Sequence, residues 1–128
     1  MGLLFALHLL SLSVFPLVDA ENEMHYCLNS SSTIACPAPS FCHSKIFFDT
    51  ATRDENNHTG LRCVDKLPPN VREDGCRKMV PFTLFSPTFE CFCSSESGQA
   101  CNNFNEEKNM QRKDNWNGAC FKLFADGE

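Results

Sequence analysis

Beyond its first twenty residues, the sequence lacks a long apolar run and lacks any excess of positive charge. Lysine and arginine number 11 against 16 aspartate and glutamate residues, a formal net charge of −5. This balance does not provide the basic surface that binds nucleic acid or an anionic membrane. The final residues, FKLFADGE, are not the hydrophobic tail that a lipid-anchor signal needs. We therefore expect no nucleic-acid partner and no membrane anchor.

The sequence also lacks the common motifs of small secreted enzymes and of zinc sites. It contains no G-x-S-x-G nucleophile elbow, and no adjacent cysteine pair followed by His-Asp, as secreted phospholipases have. The repeated short C-x2–4-C steps of structural zinc sites are missing, although His43 directly follows a cysteine. We therefore expect no catalytic residue, no metal and no cofactor. The enzyme hypothesis requires His43 or His58 to lie beside a carboxylate in a cleft.

What the sequence does contain begins with a secretory signal, predicted over residues 1–20. An apolar run from Leu3 to Leu17 ends at small residues suited to cleavage before Glu21. The run is short for a helix that spans a bilayer, and Pro16 lies near its end. We expect the signal to be cleaved and the chain to be secreted into the extracellular space.

Nine cysteines follow this segment, a density typical of a disulfide scaffold. A domain of this size buries little apolar surface, and cross-links compensate by lowering the entropy of the unfolded chain. The secretory route supplies the oxidising compartment that disulfides need. The cysteines are Cys27, Cys36, Cys42, Cys63, Cys76, Cys91, Cys93, Cys101 and Cys120.

The pattern divides the chain into a cysteine-rich module, residues 21–102, and a polar tail, residues 103–128. Aromatic and β-branched residues at 40–52 and apolar residues at 61–64 predict a hairpin with its tip near Asn56 and Asn57. A second hairpin is predicted over residues 76–93, with its bend at Ser86-Pro87. The tail predicts a short helix capped by Asn103 or Asn105.

The end of the module, CFCSSESGQACN, and the pair Gly75-Cys76 resemble a known family. They are similar to the three-finger fold of snake toxins, urokinase-receptor-like domains and activin-receptor ectodomains, and to the ET module of secreted nematode proteins. The resemblance covers residues 27–102. It implies a small disulfide-rich, mainly β fold of three-finger-like hairpins, followed by the polar, short-helical C-terminal tail.

The resemblance also implies which cysteines are paired. The implied pairs are Cys27–Cys63, Cys36–Cys42, Cys76–Cys91 and Cys93–Cys101, with Asn102 in a structural role that ties the end of the module to the core. Cys91 and Cys93 are two residues apart and would face one side of a strand, so different partners predict a bulge at Phe92. Cys120 is left over. It is interpreted as a free thiol, as an intermolecular bridge in a disulfide-linked homodimer, or as the partner of a module cysteine.

Two further groups of residues are candidates for function. Asn29-Ser30-Ser31 and Asn57-His58-Thr59 are acceptor sequences for glycosylation at Asn29 and Asn57. An apolar cluster in the last hairpin is either a core strand or an exposed partner-binding face. The cluster contains Met79, Val80, Phe82, Leu84, Phe85 and Phe89, of which Phe82, Leu84, Phe85 and Phe89 are the predicted partner-binding residues.

These observations favour an extracellular protein-binding module, such as a soluble ligand or modulator of a receptor or channel. Its partner is an extracellular protein that the sequence does not identify. A structural secreted protein that assembles through Cys120 is the second hypothesis. A small secreted hydrolase that uses His43 or His58 is the third and least favoured.

Overall fold

The computed structural model describes residues 24–52 and 56–126. The predicted signal segment lies outside these residues. Within these two ranges, seven strands, one turn of 3₁₀ helix and one α-helix follow each other in sequence. The strands are β1 (His25–Asn29), β2 (Ser32–Cys36), β3 (Phe41–Phe47), β4 (Asn57–Val64), β5 (Cys76–Lys78), β6 (Thr88–Ser94) and β7 (Glu96–Ser97).

The strands form two antiparallel sheets. The smaller sheet has the order β2-β1-β7, and the larger has the order β4-β3-β6-β5. In the larger sheet β6 is a central strand, and its residues 89–93 are all buried. The β6 strand pairs with β3 without a register shift, so the bulge predicted at Phe92 is wrong. The irregularity in this sheet lies instead between His43 and Ser44, where β3 pairs with β4.

The residue pattern predicted hairpins only within residues 40–64 and 76–93, so the hairpin of β1 and β2 was missed. Its turn contains Ser30 with a φ of 58°, and the Ser30 amide donates a 2.7 Å hydrogen bond to the carbonyl of Gly60 in β4. A Cβ atom at Gly60 would lie 2.5 Å from the Leu28 carbonyl oxygen. Glycine is therefore required at position 60, because the backbones of the two sheets touch there.

Both predicted hairpins are present, but their turns differ from the prediction. The β4 strand already begins at Asn57, so Asn57 is a strand residue rather than part of the hairpin tip. The last hairpin keeps only Cys76–Lys78 as its first arm, and residues 79–87 form a loop before β6. Two prolines in this loop, Pro81 and Pro87, lack the N–H that a strand ladder requires.

Four disulfides lie within the core, as the cysteine density predicted. The pairs Cys76–Cys91 and Cys93–Cys101 are present. The pairs implied for the first four cysteines are wrong, because the structure joins Cys27 to Cys42 and Cys36 to Cys63. Cys42 and Cys63 face each other in the β3–β4 ladder, and each bonds to the β1–β2 hairpin instead of closing a local loop. Both of these disulfides therefore join one sheet to the other.

The predicted tail contains a helix longer than the sequence suggested. A 3₁₀ turn over Glu107–Asn109 leads into α1, Met110–Ala125, which has 16 residues. Neither Asn103 nor Asn105 caps this helix, contrary to the prediction: its N-cap residue is Asn109, and no side chain forms a capping hydrogen bond. Trp116 and Cys120 of α1 are buried in the same core as the disulfides. The described chain is thus a small, mainly β, disulfide-rich fold in which the helix completes the core, and none of its helices has the length and apolar character to cross a membrane.

Candidate partner-binding surface

The loop between β5 and β6, residues 79–87, is anchored at both of its ends; we refer to it as the third-hairpin loop. At its start, the Met79 amide donates a 3.0 Å hydrogen bond to the Thr88 carbonyl. At its end, Pro87 is fully buried, and its carbonyl accepts a 2.9 Å bond from the Phe48 amide. These contacts fix the loop to β3 and β6 and leave its tip to project.

The tip of the third-hairpin loop carries the most exposed apolar side chains among the described residues. Phe85 is 99 % exposed, Val80 is 92 % exposed and Leu84 is 66 % exposed. The tip also has internal order, because the Ser86 amide donates a 3.2 Å bond to the Thr83 hydroxyl. Exposed aromatic and aliphatic side chains on an ordered loop are typical of a contact surface.

The apolar cluster predicted from the sequence is therefore divided between surface and core. Leu84 and Phe85 are exposed, as a partner-binding role requires, whereas Phe89 is 0 % exposed and belongs to the core. The partner-binding assignment of Phe89 is wrong, because β6 is a central strand buried on both faces. Phe82 is partly buried, between the exposed and the core residues of the cluster. Its ring centroid is 5.3 Å from that of Phe89, and the Lys78 ammonium lies 4.9 Å from the centroid of the Phe82 ring.

Asn102 links both sheets through its side-chain amide. Its Oδ1 accepts a 3.0 Å hydrogen bond from the Leu28 amide of β1. Its Nδ2 donates a 2.8 Å bond to the Ser44 hydroxyl of β3. The side chain is buried, so both halves of the amide need these partners.

His43 lies within hydrogen-bonding reach of a carboxylate, the feature required by the hydrolase hypothesis. Its Nε2 is 2.7 Å from Glu90 Oε1, and Arg77 Nε donates a 2.6 Å bond to Glu90 Oε2. The His43 ring stacks on Phe92 at a centroid distance of 4.7 Å, and both His43 and Glu90 are buried. Burial lowers the pKa of His43, and the bond to Glu90 only partly offsets this effect. The pair is held under the surface of the sheet, and His43 lines neither of the two cavities described below.

His58 has an amide partner rather than a carboxylate. Its Nε2 donates a 2.7 Å hydrogen bond to Asn117 Oδ1 of the helix. The ring packs edge-on against Phe104 at 4.9 Å, and burial lowers its pKa. His58 therefore contributes to the attachment of the helix to β4.

Cys120 is the one described cysteine outside a disulfide. Its thiol is completely buried, and burial raises its pKa to about 12. Its Sγ lies within 4.8 Å of the sulfurs of Cys76 and Cys91. An intermolecular bridge through Cys120 would require the helix to leave the core first.

The close groups of cysteines in the described chain do not offer a set of three free ligands. The sulfurs in each group lie within 4.8 Å of one another, but each group contains two cysteines that are already joined as a disulfide. A metal requires the thiolate form of each cysteine ligand. The groups are Cys27 with Cys36 and Cys63, Cys42 with Cys93 and Cys101, and Cys76 with Cys91 and Cys120.

The described residues form surface cavities, two of which are relevant to function. The larger, about 360 Å³, lies between β4, the β1–β2 hairpin and the segment before the helix, and we call it the β4-edge groove. The smaller, about 240 Å³, lies between Asp74 and the face of α1 that carries Arg112. Both predicted glycosylation residues, Asn29 and Asn57, are exposed, and Asn57 lies on the wall of the β4-edge groove.

Comparison of the chain with protein-family models, with curated proteins and with solved structures yields no match. The surfaces of the molecule itself are therefore the basis for assigning a function.

Proposed function

We propose that this chain is a secreted, three-finger-like module that binds an extracellular protein through the third-hairpin loop. The observation that carries the proposal is the exposure of Phe85, Leu84 and Val80 at the tip of this anchored loop. A soluble ligand or modulator of a receptor or channel is the role that suits such a surface.

The exposed apolar side chains would stabilise a complex if a partner buried them. Burial of one Phe or Leu side chain is favourable by roughly 1.5–3 kcal/mol. A pair of such residues at the centre of an interface can therefore dominate its affinity, as interface hot spots do. No other described segment combines two large apolar side chains of this exposure next to each other in sequence.

The loop is also ordered before any partner arrives. Hydrogen bonds fix its two ends and its tip, and Phe82 anchors it to the core through Phe89. Ordering a flexible loop upon binding costs free energy that an ordered loop does not lose. The third-hairpin loop therefore holds Phe85 and Leu84 in one conformation, and little free energy is lost in ordering them when a partner binds.

The chemistry of the loop indicates an apolar pocket on the partner. Residues 79–89 contain no ionisable side chain, and the flanking Lys78 is directed to the Phe82 ring. Long-range charge steering is therefore not the main source of specificity, and shape and apolar contact must supply it.

Three features support the three-finger-like part of the proposal. The described chain has three hairpins in sequence, β1–β2, β3–β4 and β5–β6. Two disulfides join the first hairpin to the second, Cys76–Cys91 links the two arms of the third, and Asn102 follows Cys101, the last of the eight paired cysteines. The same features suit the ET module. Secretion is supported by the four disulfides, which require an oxidising compartment.

The two rival hypotheses draw less support from the described residues. Assembly through Cys120 is disfavoured because its thiol is buried. A hydrolase built on His43 and Glu90 requires substrate to reach a pair that lies under the surface of the sheet. Neither rival explains why Phe85 and Leu84 are exposed.

The proposal is tested by measuring the binding of fluorescently labelled protein to an array of extracellular receptor and channel ectodomains. The wild type should bind at least one ectodomain saturably, and excess unlabelled protein should compete. The double variant Leu84→Ala, Phe85→Ala should lose at least tenfold in affinity, because each truncation removes an anchor of about 1–2 kcal/mol or more. Since both side chains are exposed, the variant should unfold at the same temperature as the wild type.

Met110→Ala is the matched control, since Met110 is a partly exposed apolar residue far along the chain from the loop. Its affinity should equal that of the wild type. Equal affinity of the loop variant and the wild type would contradict the proposal. Binding to protein-free phosphatidylcholine vesicles with the same loop dependence would show a lipid-binding loop and would also contradict it.

A further inference from the structure

The β4-edge groove combines a candidate modification site with a cavity that suits the modifying group. Asn57 lies on its wall, at the first position of β4, and its side chain is exposed. With His58 and Thr59 it forms an acceptor sequence for N-linked glycosylation. Exposure of Asn57 allows the folded protein to carry a glycan at this position.

The walls of the β4-edge groove carry mostly hydroxyl and amide groups. Ser30 and Ser31 line it from the β1–β2 turn, and Asn103 and Asn105 line it from the segment before the helix. Such groups donate and accept hydrogen bonds without net charge. Lys113 is the one charged residue of the wall, and no carboxylate faces it. A neutral, hydroxyl-rich ligand matches this chemistry better than an ion does.

The groove also contains an apolar ring that is held in place. Phe104 lines it, and the ring packs edge-on against Trp116 at 5.4 Å and against His58 at 4.9 Å. Both partners are fixed by the core and by the helix, so Phe104 is a rigid platform. The carbon face of a sugar ring can pack on such a side chain while its hydroxyls reach the polar wall.

We infer that the β4-edge groove holds the first sugars of an N-linked glycan attached to Asn57. The volume of about 360 Å³ lies at the lower end of the range for ligand sites, so only the innermost sugars can be enclosed. Because the sugar is tethered to the wall of the groove, weak contacts suffice to hold it. The inference rests on the secretion proposed above and is independent of the third-hairpin loop.

A glycan held in this groove would lie against β4. The β4 strand is one of the two edge strands of the larger sheet, and an isolated bridge pairs its Gly60 with Ser30 of the β1–β2 turn. Exposed edges promote pairing with other chains, and proteins protect them. A glycan at Asn57 would protect β4 from pairing with other chains.

The test uses protein secreted from cultured animal cells and the native-state rate at which an amidase releases each glycan. Mass spectrometry should find Asn57 occupied. Release from Asn57 in the folded protein should be at least tenfold slower than release from Asn29, which is exposed but does not line the groove. After denaturation the two rates should be equal.

Two variants test whether slow release at Asn57 comes from contact of the glycan with the groove or from general shielding by the folded protein. Phe104→Ala removes the platform and should raise the native release rate at Asn57 to that at Asn29. Because Phe104 also packs on Trp116, Thr33→Trp serves as the second variant: it fills the groove from an exposed position of β2 and preserves both acceptor sequences. It should accelerate release in the same way while the melting temperature stays within 2 °C of the wild type.

An unoccupied Asn57, or equal native release rates at Asn57 and Asn29, would overturn the inference. So would slow release at Asn57 that neither variant changes. If deglycosylated protein binds soluble N,N′-diacetylchitobiose while Asn57 releases its glycan at the control rate, the groove is a site for free saccharide and the inference is wrong. Loss of receptor binding in the loop variant is unaffected by any of these outcomes.

Discussion

At the scale of single residues, two buried histidines make the stability of the fold depend on pH. Burial lowers the pKa of His43 and of His58 in the folded protein. His43 faces the carboxylate of Glu90 together with Arg77 and Arg62, and His58 faces Asn117 and Lys113. In both sites the neutral imidazole is the form that the fold accommodates.

We predict that the free energy of unfolding decreases as the pH falls below about 6.5, the ordinary histidine pKa. The unfolded chain then binds protons that the folded chain does not, whereas above that pKa both states are neutral. The slope should not exceed about 1.4 kcal/mol per pH unit for each histidine. Urea unfolding between pH 5 and 7.5 measures it.

His43→Gln and His58→Gln each remove one titrating group and retain a side chain that can hydrogen-bond to the same partner. Each variant should flatten the dependence in part, and the double variant should be nearly independent of pH over this window. A wild type of constant stability, or a double variant with an unchanged slope, would refute the assignment.

Cys120 is a third residue whose surroundings predict its chemistry. A pKa of about 12, compared with 9.0 for a free thiol, lowers the thiolate fraction about a thousandfold near neutral pH. We predict that a thiol-specific reagent labels one cysteine per chain in denaturant and none in the folded protein within the same time. Labelling kinetics followed by mass spectrometry measure this difference.

Cys120→Ala is the control for that experiment and should abolish labelling under both conditions. The wild type should also migrate as a monomer without reductant. A reductant-sensitive dimer that Cys120→Ala removes would instead support assembly through this residue, the second hypothesis for function.

At the scale of elements, the C-terminal helix behaves as part of the core. Trp116, the sole tryptophan, is completely buried between the helix and the rings of Phe104 and His58. We predict that Trp116→Ala lowers the free energy of unfolding by about 3–5 kcal/mol, the usual cost of truncating a buried aromatic residue. Met110→Ala on the same helix should cost less than about 1 kcal/mol, because its side chain is partly exposed. Denaturant unfolding followed by circular dichroism distinguishes the two, and equal effects would contradict the role assigned to the helix.

The sequence predicted some elements well because their signals are local. The hairpin of β5 and β6 follows from its prolines and from the aromatic residues of TFECFC. The β1–β2 hairpin was missed because its second strand, STIAC, is short and largely exposed. The division of the apolar cluster between Phe85 and Phe89 was also beyond the sequence, since only the position of β6 inside the sheet decides which aromatic residue is covered. The β4-edge groove depends on residues from five separate stretches of the chain, and no local pattern joins them.

At the scale of the whole molecule, two of the disulfides join the smaller sheet to the larger one. Cys27–Cys42 and Cys36–Cys63 both connect the β1–β2 hairpin to the larger sheet, whereas Cys93–Cys101 closes a short segment. Sequence spacing could not distinguish these pairings, because cysteines that are close in sequence need not face each other. Cys36 and Cys42 illustrate this, since they lie in different sheets.

The connectivity leads to an ordered prediction about stability. Chain-entropy estimates give about 3.5 kcal/mol for Cys36–Cys63, which are 27 residues apart, and about 2.5 kcal/mol for Cys93–Cys101, which are 8 apart. Replacement of both cysteines of a pair by Ala should therefore destabilise the protein more for the first pair, by about 1 kcal/mol. Both variants should carry Cys120→Ala, because this thiol lies within 4.8 Å of Cys76 and Cys91 and could exchange with their disulfide. Urea unfolding measures the difference, and non-reducing peptide mapping of the parent should recover Cys27–Cys42 and Cys36–Cys63. Recovery of Cys27–Cys63 and Cys36–Cys42 would mean that the two sheets are not joined as described, and the order of the two destabilisations would then lose its basis.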